Sequence, residues 1–356
     1  MALDWKQAID LKREQVVGLD IGSASVKLVG LGGGSGHYTA QFAQRIETGV
    51  LPDEDDKSRR DKMVSAIRAC FEMSRMQTRQ VVCGVSGPEV AVRTFCFPSL
   101  PAEEVAEAVM LEAEQVCPFD ARSNVVDYQI VKSNGKSKAA NGQDITGLMV
   151  AATKDVIRRK IELVNGSYLN CAMMDVEGLA LANCFGQTEE IEDGQVVAIV
   201  NIGGASTNIV ILTKEGLPFV RDIAYGGDMI FNQIGLEFNT SRGQVASIFA
   251  GGEGRRKEEI LAGLGKACSK LISDINESLR YYVIERRTAA INKVYICGGF
   301  SQVNGFSEMV GSQINCPVAV WNPLAKFPAA NAGVRDVVER SGPAFAVAAG
   351  LAMRTI

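Results

Sequence analysis

The chain has 356 residues, 47% of them hydrophobic and 22% charged, with a formal net charge of -4. That is room for two domains or one bilobed domain of ordinary globular composition, and without clustered Lys/Arg it offers no case for non-specific nucleic-acid binding. One histidine, His37 beside a Gly-rich turn, and nine cysteines with no CxxC pair exclude a histidine triad, a multi-histidine metal site and zinc-ligand spacing; the odd cysteine count favours reduced thiols in a cytosolic compartment.

Residues 1–15 carry Asp4, Lys6, Asp10, Lys12, Arg13 and Glu14, so they hold no apolar signal core. They read as a short helix or arm with Leu3, Trp5, Ile9 and Leu11 as docking residues. Strands follow at 16–21 and 25–31, then a Gly-rich turn at 33–36 and a strand at 38–46. The charge run 53–62 reads as a solvated loop and first helical turn, leading into Met63, Ile67, Cys70, Phe71 and Met73 at helical spacing. Strands are expected at 80–86 and 92–97. Ser99 or Leu100 is placed to cap a helix with Pro101 in its first turn and Glu103 and Glu104 at the favourable dipole end, stopping before Pro118. Strands at 125–131 and 145–153, joined by the polar segment 133–144, and a helix at 155–164 complete a unit that looks inserted between two halves of a larger fold.

Beyond it come a short strand into an apolar helix at 179–185, a strand within 217–225 and a helix opening at Gly226-Gly227-Asp228. A charged helical stretch at 240–270 breaks at 251–254, and an amphipathic helix covers 271–286. A strand at 294–297 runs into Gly298-Gly299. A last strand at 316–321 and an Ala/Gly-rich helix at 344–353 end the chain. The uncharged window 194–213 contains Gln195, Asn201, Ser206, Thr207 and Asn208, which suits a buried strand pair better than a membrane span; a soluble protein is expected, with no direct membrane insertion.

One stretch occurs twice. Residues 19–31 (LDIGSASVKLVGL) return 181 positions later as 200–212 (VNIGGASTNIVIL), with six of thirteen aligned positions identical. Each copy is an apolar run, a Gly/Ser elbow and a second apolar run, the pattern of a hairpin. Glycines let main-chain N–H groups approach an anion with no side chain in the way. Asp20 and Asn201 sit two positions before the first glycine of each copy. Two such hairpins facing each other make a clamp for a polyphosphate.

The order of these motifs resembles the actin-like ATPase superfold, and more closely the PilM family of type IV pilus assembly. The likeness rests on 17–27 (VGLDIGSASVK), 100–104 (LPAEE), 117–119 (CPF), 126–128 (VDY) and 297–300 (CGGF). The CPF stretch after an acidic helix points to the subdomain that PilM shares with the division protein FtsA. The resemblance implies an α/β, actin-like ATPase fold: two RNase-H-like lobes with an inserted FtsA/PilM-type subdomain. Its boundaries are expected at 1–93 for the first part of lobe 1, 94–171 for the insertion, 172–194 for the return to lobe 1, 195–325 for lobe 2 and 326–356 for C-terminal helices against lobe 1.

Carried onto this chain, the resemblance implies ATP and Mg²⁺ as cofactors. Asp20, Gly22, Ser23, Ser25 and Lys27 form a first phosphate loop, and Asn201, Gly203, Gly204, Ser206 and Thr207 a second. Gly298, Gly299 and Phe300 face the adenosine, Asp274 and Ser278 lie on the helix beneath it, and Gly226 and Gly227 line the sugar-phosphate side. Asp20 holds the metal with Asn201 acting through a water, and Asp175 and Glu177 lie near the hydrolytic water. Two departures stand out: Asn201 where the superfold carries aspartate, and Glu277 where PilM-like sequences tend to arginine. An amide supplies no charge and no base, so binding with at most weak ATPase activity is expected. The implied role is a cytoplasmic scaffold at the inner face of the inner membrane. It docks the N-terminal tail of a PilN-like membrane protein in a groove lined by 92–97 and 103–116. Pilus motor ATPases and a homo-oligomer are open as further partners. An ATP-dependent sugar or carboxylate kinase of the same superfold, an FtsA-like division protein and a secretion-system relative that has lost nucleotide are the alternatives. The first needs a general base and a closed pocket, the second a membrane-binding amphipathic tail.

Overall fold

The computed structural model describes residues 16–34, 36–51, 54–131, 144–288 and 290–355. The arm expected over 1–15 and nearly all of the 133–144 linker lie outside these residues. The chain opens with β1 (Val17–Ile21), β2 (Ser25–Gly32) and β3 (Thr39–Glu47), followed by α1 (Asp56–Ser74) and β4 (Gln80–Val85). Every residue of β1 and β2 is buried, which explains why they read as continuous apolar runs rather than alternating ones. The charge run lies mostly inside α1, whose first turn is capped by Asp55 accepting from the Ser58 N–H at 2.9 Å. Its charges form the wet face of a helix rather than a loop.

Next come β5 (Val90–Phe97), α2 (Ala102–Val116), β6 (Val125–Val131), β7 (Ile145–Ala152), α3 (Lys154–Gly166), β8 (Asn170–Val176) and α4 (Glu177–Thr188). Pro101 occupies the cap position of α2 with no side-chain cap bond. Neither Ser99 nor Leu100 caps it, because the fixed φ of proline already sets the chain into the helix. Strands β5, β7 and β6 form a separate three-stranded antiparallel sheet covered by α2. α3 packs on α1 and β8 instead, so the helix that closes the inserted stretch in sequence belongs in space to the first lobe.

The second half holds β9 (Val196–Ile202), β10 (Thr207–Thr213), β11 (Phe219–Ile223), α5 (Gly227–Phe238), α6 (Arg242–Phe249), α7 (Lys257–Ala262), α8 (Leu264–Arg286) and β12 (Lys293–Cys297). It closes with α9 (Phe306–Gln313), β13 (Val318–Val320), α10 (Ala332–Ser341) and α11 (Ala346–Ala352). α9 escapes sequence reading because it buries a single i,i+4 apolar pair, Phe306 with Val310; α10, which buries Val334 with Val338, lies within the C-terminal helices expected over 326–356.

The two large sheets have the same plan. One is ordered β3-β2-β1-β4-β8 and the other β11-β10-β9-β12-β13. In each, a three-stranded antiparallel meander is extended by two parallel strands. These are two RNase-H-like units. The internal repeat is the first hairpin of each. No helix among the described residues is long and apolar enough to cross a membrane, and all nine cysteines are free thiols.

Between the sheets lie α4 and α11. They pack on each other, α11 also against β1, β2 and β4, and α4 also against β10 and β11. One apolar cluster therefore runs from Val82 and Val85 in the first sheet through Ala180, Phe185, Ala348 and Leu351 to Ile199 and Val210 in the second. The approach is close enough that a methyl group on Gly350 would overlap the Ala180 carbonyl, and one on Gly18 the Ala348 carbonyl. Both contacts are to backbone, which has nowhere to go. Gly350→Ala is therefore expected to cost roughly 1–3 kcal/mol, read as a lower urea midpoint in equilibrium unfolding. A midpoint equal to that of the unaltered protein would show that the helices are not in that contact.

Candidate functional site

The turn of each repeated hairpin closes in the same way. The Gly22 N–H donates to the Ser25 carbonyl at 3.2 Å, and the Gly203 N–H donates to the Ser206 carbonyl at 2.9 Å. Just before the turns, the strands place Asp20 opposite Lys27 and Asn201 opposite Asn208. Here the two copies diverge. Lys27 Nζ and Asp20 Oδ2 form a buried ion pair at 2.9 Å, whereas Asn201 Nδ2 donates to Asn208 Oδ1 at 2.7 Å. An ionic pair in one lobe is matched by an amide pair in the other.

The amide pair does not end there. Asn208 Nδ2 donates to Asp222 Oδ1 at 2.8 Å, and Asp222 Oδ2 accepts the Gly87 N–H at 2.6 Å, so the row crosses from the second lobe to the first. Burial raises the Asp222 pKa from its ordinary value, against the pull of those two hydrogen bonds.

The two turns face each other across a cleft of about 500 Å³, within the size range of cofactor sites. Its lining includes Asp20, Gly22, Ser23, Ser25, Lys27, Glu177, Asn201, Gly203, Gly204, Ser206, Gly227, Gly298, Gly299 and Phe300. Its apolar lining includes Phe231, Ala246, Phe300 and Val303, with Phe231 and Phe300 in ring contact, and its polar lining includes Asp20, Lys27, Lys160, Glu177 and Asn201. Gly298 holds a φ of +91°, a conformation that strains any residue with a Cβ; it turns the chain from β12 back toward Asn201. Phe300 is buried, with ring centroids 5.2 Å from Phe231 and 5.0 Å from Phe306.

At the floor, Ser86 Oγ donates to Glu177 Oε2 at 2.7 Å, and Lys160 Nζ stands 4.0 Å from Glu177 Oε1 while donating to the Ile21 carbonyl at 2.8 Å. Burial raises the Glu177 pKa; Lys160 opposes the shift and Asp20 adds to it. At the mouth, Ser23 Oγ donates to Asp228 Oδ2 at 3.0 Å, Arg242 pairs with Asp228 Oδ1 at 3.1 Å, and Arg242 Nη2 donates to the Val50 carbonyl at 3.1 Å. The mouth is thus laced by contacts between the lobes.

Five residues singled out from the sequence stand off this lining. Asp175 is buried with both oxygens taken by Arg354, at 2.6 and 2.8 Å. Asp274 pairs with Lys270 at 2.8 Å, and Ser278 is buried with its hydroxyl turned onto the Asp274 carbonyl at 2.7 Å. Thr207 is buried and donates to the Tyr225 carbonyl at 2.8 Å. Gly226 precedes α5, whose Gly227 and Asp228 N–H groups donate to the Gly203 and Gly204 carbonyls at 2.9 Å each; this seats the second turn on the helix start. Residues that sequence reading missed are Lys160, Asp228, Arg242 and Asn208. Only Asn208 carried a signal there, being the repeat partner of Lys27.

The donor set suits a phosphate with its metal. Mg²⁺ is usually bound through one or two carboxylates plus phosphate and water, and Asp20 with the Asn201 amide opposite supplies that. Among the described residues no cluster of three or more His, Cys, Asp or Glu could hold a metal unaided.

The direction of the amide row yields a stability test. Asn201→Asp replaces a donor by an acceptor facing Asn208 Oδ1 and is expected to cost about 1–3 kcal/mol. Adding Asn208→Lys rebuilds the pair found at Asp20 and Lys27, and at least half of the loss should return in urea unfolding. A double variant no better than the single one would refute the equivalence of the two pairs.

A family model described as type IV pilus assembly protein PilM matches residues 18–356. Among solved structures, a PilM–PilN type IV pilus biogenesis complex superposes with a TM-score of 0.76 at 22% identity, covering 96% of this chain and 98% of the other. The ethanolamine utilization protein EutJ from Carboxydothermus hydrogenoformans gives a TM-score of 0.55 at 17% identity, covering 95% and 89%. The cell division protein FtsA of Bacillus subtilis (strain 168) is 23% identical over 251 residues, 64% of this chain but only 56% of FtsA. The fold is that of the actin-like ATPases.

Proposed function

The chain belongs to the family of type IV pilus assembly protein PilM, and from that premise we propose that it is an ATP-binding scaffold of the inner-membrane pilus assembly platform. The observation that carries the nucleotide is the pair of matched turns facing each other across one cleft. Backbone N–H groups of the two turns would neutralise phosphate oxygens, Lys27 and Lys160 would add charge, and the Phe231–Phe300 pair would take the base. Asp20 would hold Mg²⁺ with Asn201 bonded to a metal-bound water. Bound magnesium would screen the phosphate charge and fix the triphosphate.

Turnover is expected to be slow. Asn201 can neither attract a second cation nor accept a proton, and Glu177 is already held by Ser86 and Lys160. The partner we propose is the N-terminal tail of a PilN-like inner-membrane protein, lying along β5 and α2 of the inserted sheet; through it the protein would sit at the membrane's cytoplasmic face. Support comes from the family and from the complex with PilN in which the similar PilM fold was solved.

Calorimetric titration with Mg-ATP, followed by overnight phosphate release from the same sample, tests the cleft. Binding with negligible release is expected, and Asp20→Ala should weaken it by about tenfold or more, the scale of one lost charge-assisted contact. No heat of binding in the unaltered protein would overturn the nucleotide reading. For the partner, a labelled tail peptide should bind in fluorescence anisotropy and lose binding when 98–140 is removed, while Mg-ATP binding persists. Retained peptide affinity in that folded variant would place the tail elsewhere.

A further inference from the structure

In the first sheet, Asp20 on β1, Lys27 on β2 and Arg45 on β3 are successive cross-strand neighbours. Their side chains thus stand in one row on the face that lines the cleft. Asp20 ends the row beside the turns. Arg45 ends it on the opposite side, where its Nη2 lies 4.0 Å from the position a Cβ would take on Gly299. Because Gly299 carries no side chain, the guanidinium of one lobe reaches the glycine pair of the other across open space.

Arg45 is only partly satisfied there. Nη2 pairs with Glu47 Oε1 at 2.7 Å, but Nε is buried and has no hydrogen-bond partner among the described residues. A buried N–H left without an acceptor is costly and uncommon in a native fold. A bound molecule that brings an acceptor to this end of the cleft removes that cost, after a small turn of the guanidinium about the Glu47 contact. Phosphate has other candidate partners in this cleft: the two turns, Lys27 in the middle of the row and Lys160 on α3.

We infer that Arg45 is a binding residue for the nucleoside, donating from lobe 1 to the sugar or base held against Gly298-Gly299. This rests on the nucleotide reading of the cleft and adds to it the group that distinguishes a nucleotide from a bare polyphosphate. Glu47 aims the guanidinium and is a positioning residue.

The experiment is calorimetry on the full chain with Mg-ATP and, separately, with magnesium tripolyphosphate, for the unaltered protein, Arg45→Ala and Arg45→Lys. Arg45→Ala should lose about tenfold in ATP affinity and leave tripolyphosphate affinity unchanged. Arg45→Lys should recover only part, since an ammonium lacks the planar fork. Unchanged tripolyphosphate binding also shows that the variant is folded. If ATP binds the unaltered protein and Arg45→Ala equally, this inference fails while the nucleotide reading stands. Equal losses for both probes would make Arg45 a phosphate ligand and overturn it too. No ATP binding to the unaltered protein would remove the nucleotide reading and this inference together.

Discussion

Everything at the cleft depends on how closely α4 and α11 approach each other between the two sheets. Gly350 rests on the Ala180 backbone and Gly18 on the Ala348 backbone, so the sheets are coupled through main chain rather than through side chains that could repack. The hairpin turns project from the ends of β1 and β9 into one cleft, and this helix pair joins the two sheets that carry them. A clamp built from two turns works only if both arrive at one ligand, and a small change in helix spacing would move one turn away from the other. The small residues of 344–353 belong to the site in this indirect sense.

On that frame the two lobes contribute unequal chemistry from equivalent positions. Lobe 1 brings Asp20 with its charge balanced by Lys27; lobe 2 brings Asn201, neutral and tied through Asn208 to Asp222 and to the Gly87 N–H of lobe 1. The neutral row is internally consistent. Asn201 donates to Asn208, Asn208 donates to Asp222, and the Gly87 N–H completes the carboxylate. Each buried polar group finds its partner. A carboxylate at 201 would disturb that row unless position 208 also changed. The amide at 201 is therefore one half of a matched pair, not an isolated loss.

How much of this could be read from sequence follows from the range of each signal. The hairpins, the Gly298 turn and the first turn of α5 are local patterns of period and turn residues, and the structure has them within a residue or two of their expected bounds. Lys160, Arg242 and Arg45 come from a helix after the insertion, a helix of lobe 2 and the third strand of lobe 1. Only topology brings them to one cleft. Asp175, Asp274 and Ser278 each stand near the site in sequence or on a neighbouring element, but other partners hold them. Asp175 is claimed by a distant partner, Arg354, whereas Asp274 and Ser278 are held within their own helix, by Lys270 one turn away and by the Asp274 carbonyl. The likeness of motif order conveyed the fold well because order is preserved along a chain, while the direction of a side chain is not.

The same geometry argues that binding and turnover are separable here. Holding a triphosphate needs backbone donors and cations, and in the proposed binding mode both turns, Lys27 and Lys160 would supply them. Hydrolysis needs in addition a group that takes a proton from water at the moment of attack. Glu177 is the buried acid closest to that task, yet Ser86 already donates to one of its oxygens and Lys160 approaches the other. Burial lifts its pKa, which makes it a stronger base once ionised, while the Ser86 hydroxyl and the Lys160 ammonium favour its charged form and so lower its basicity. In the scaffold role proposed above, a ligand that stays bound is an advantage, because bound ligand adds stability without a cycle of opening. The contacts of Ser23 and Arg242 across the mouth link the two lobes directly, Ser23 to Asp228 and Arg242 to the Val50 carbonyl.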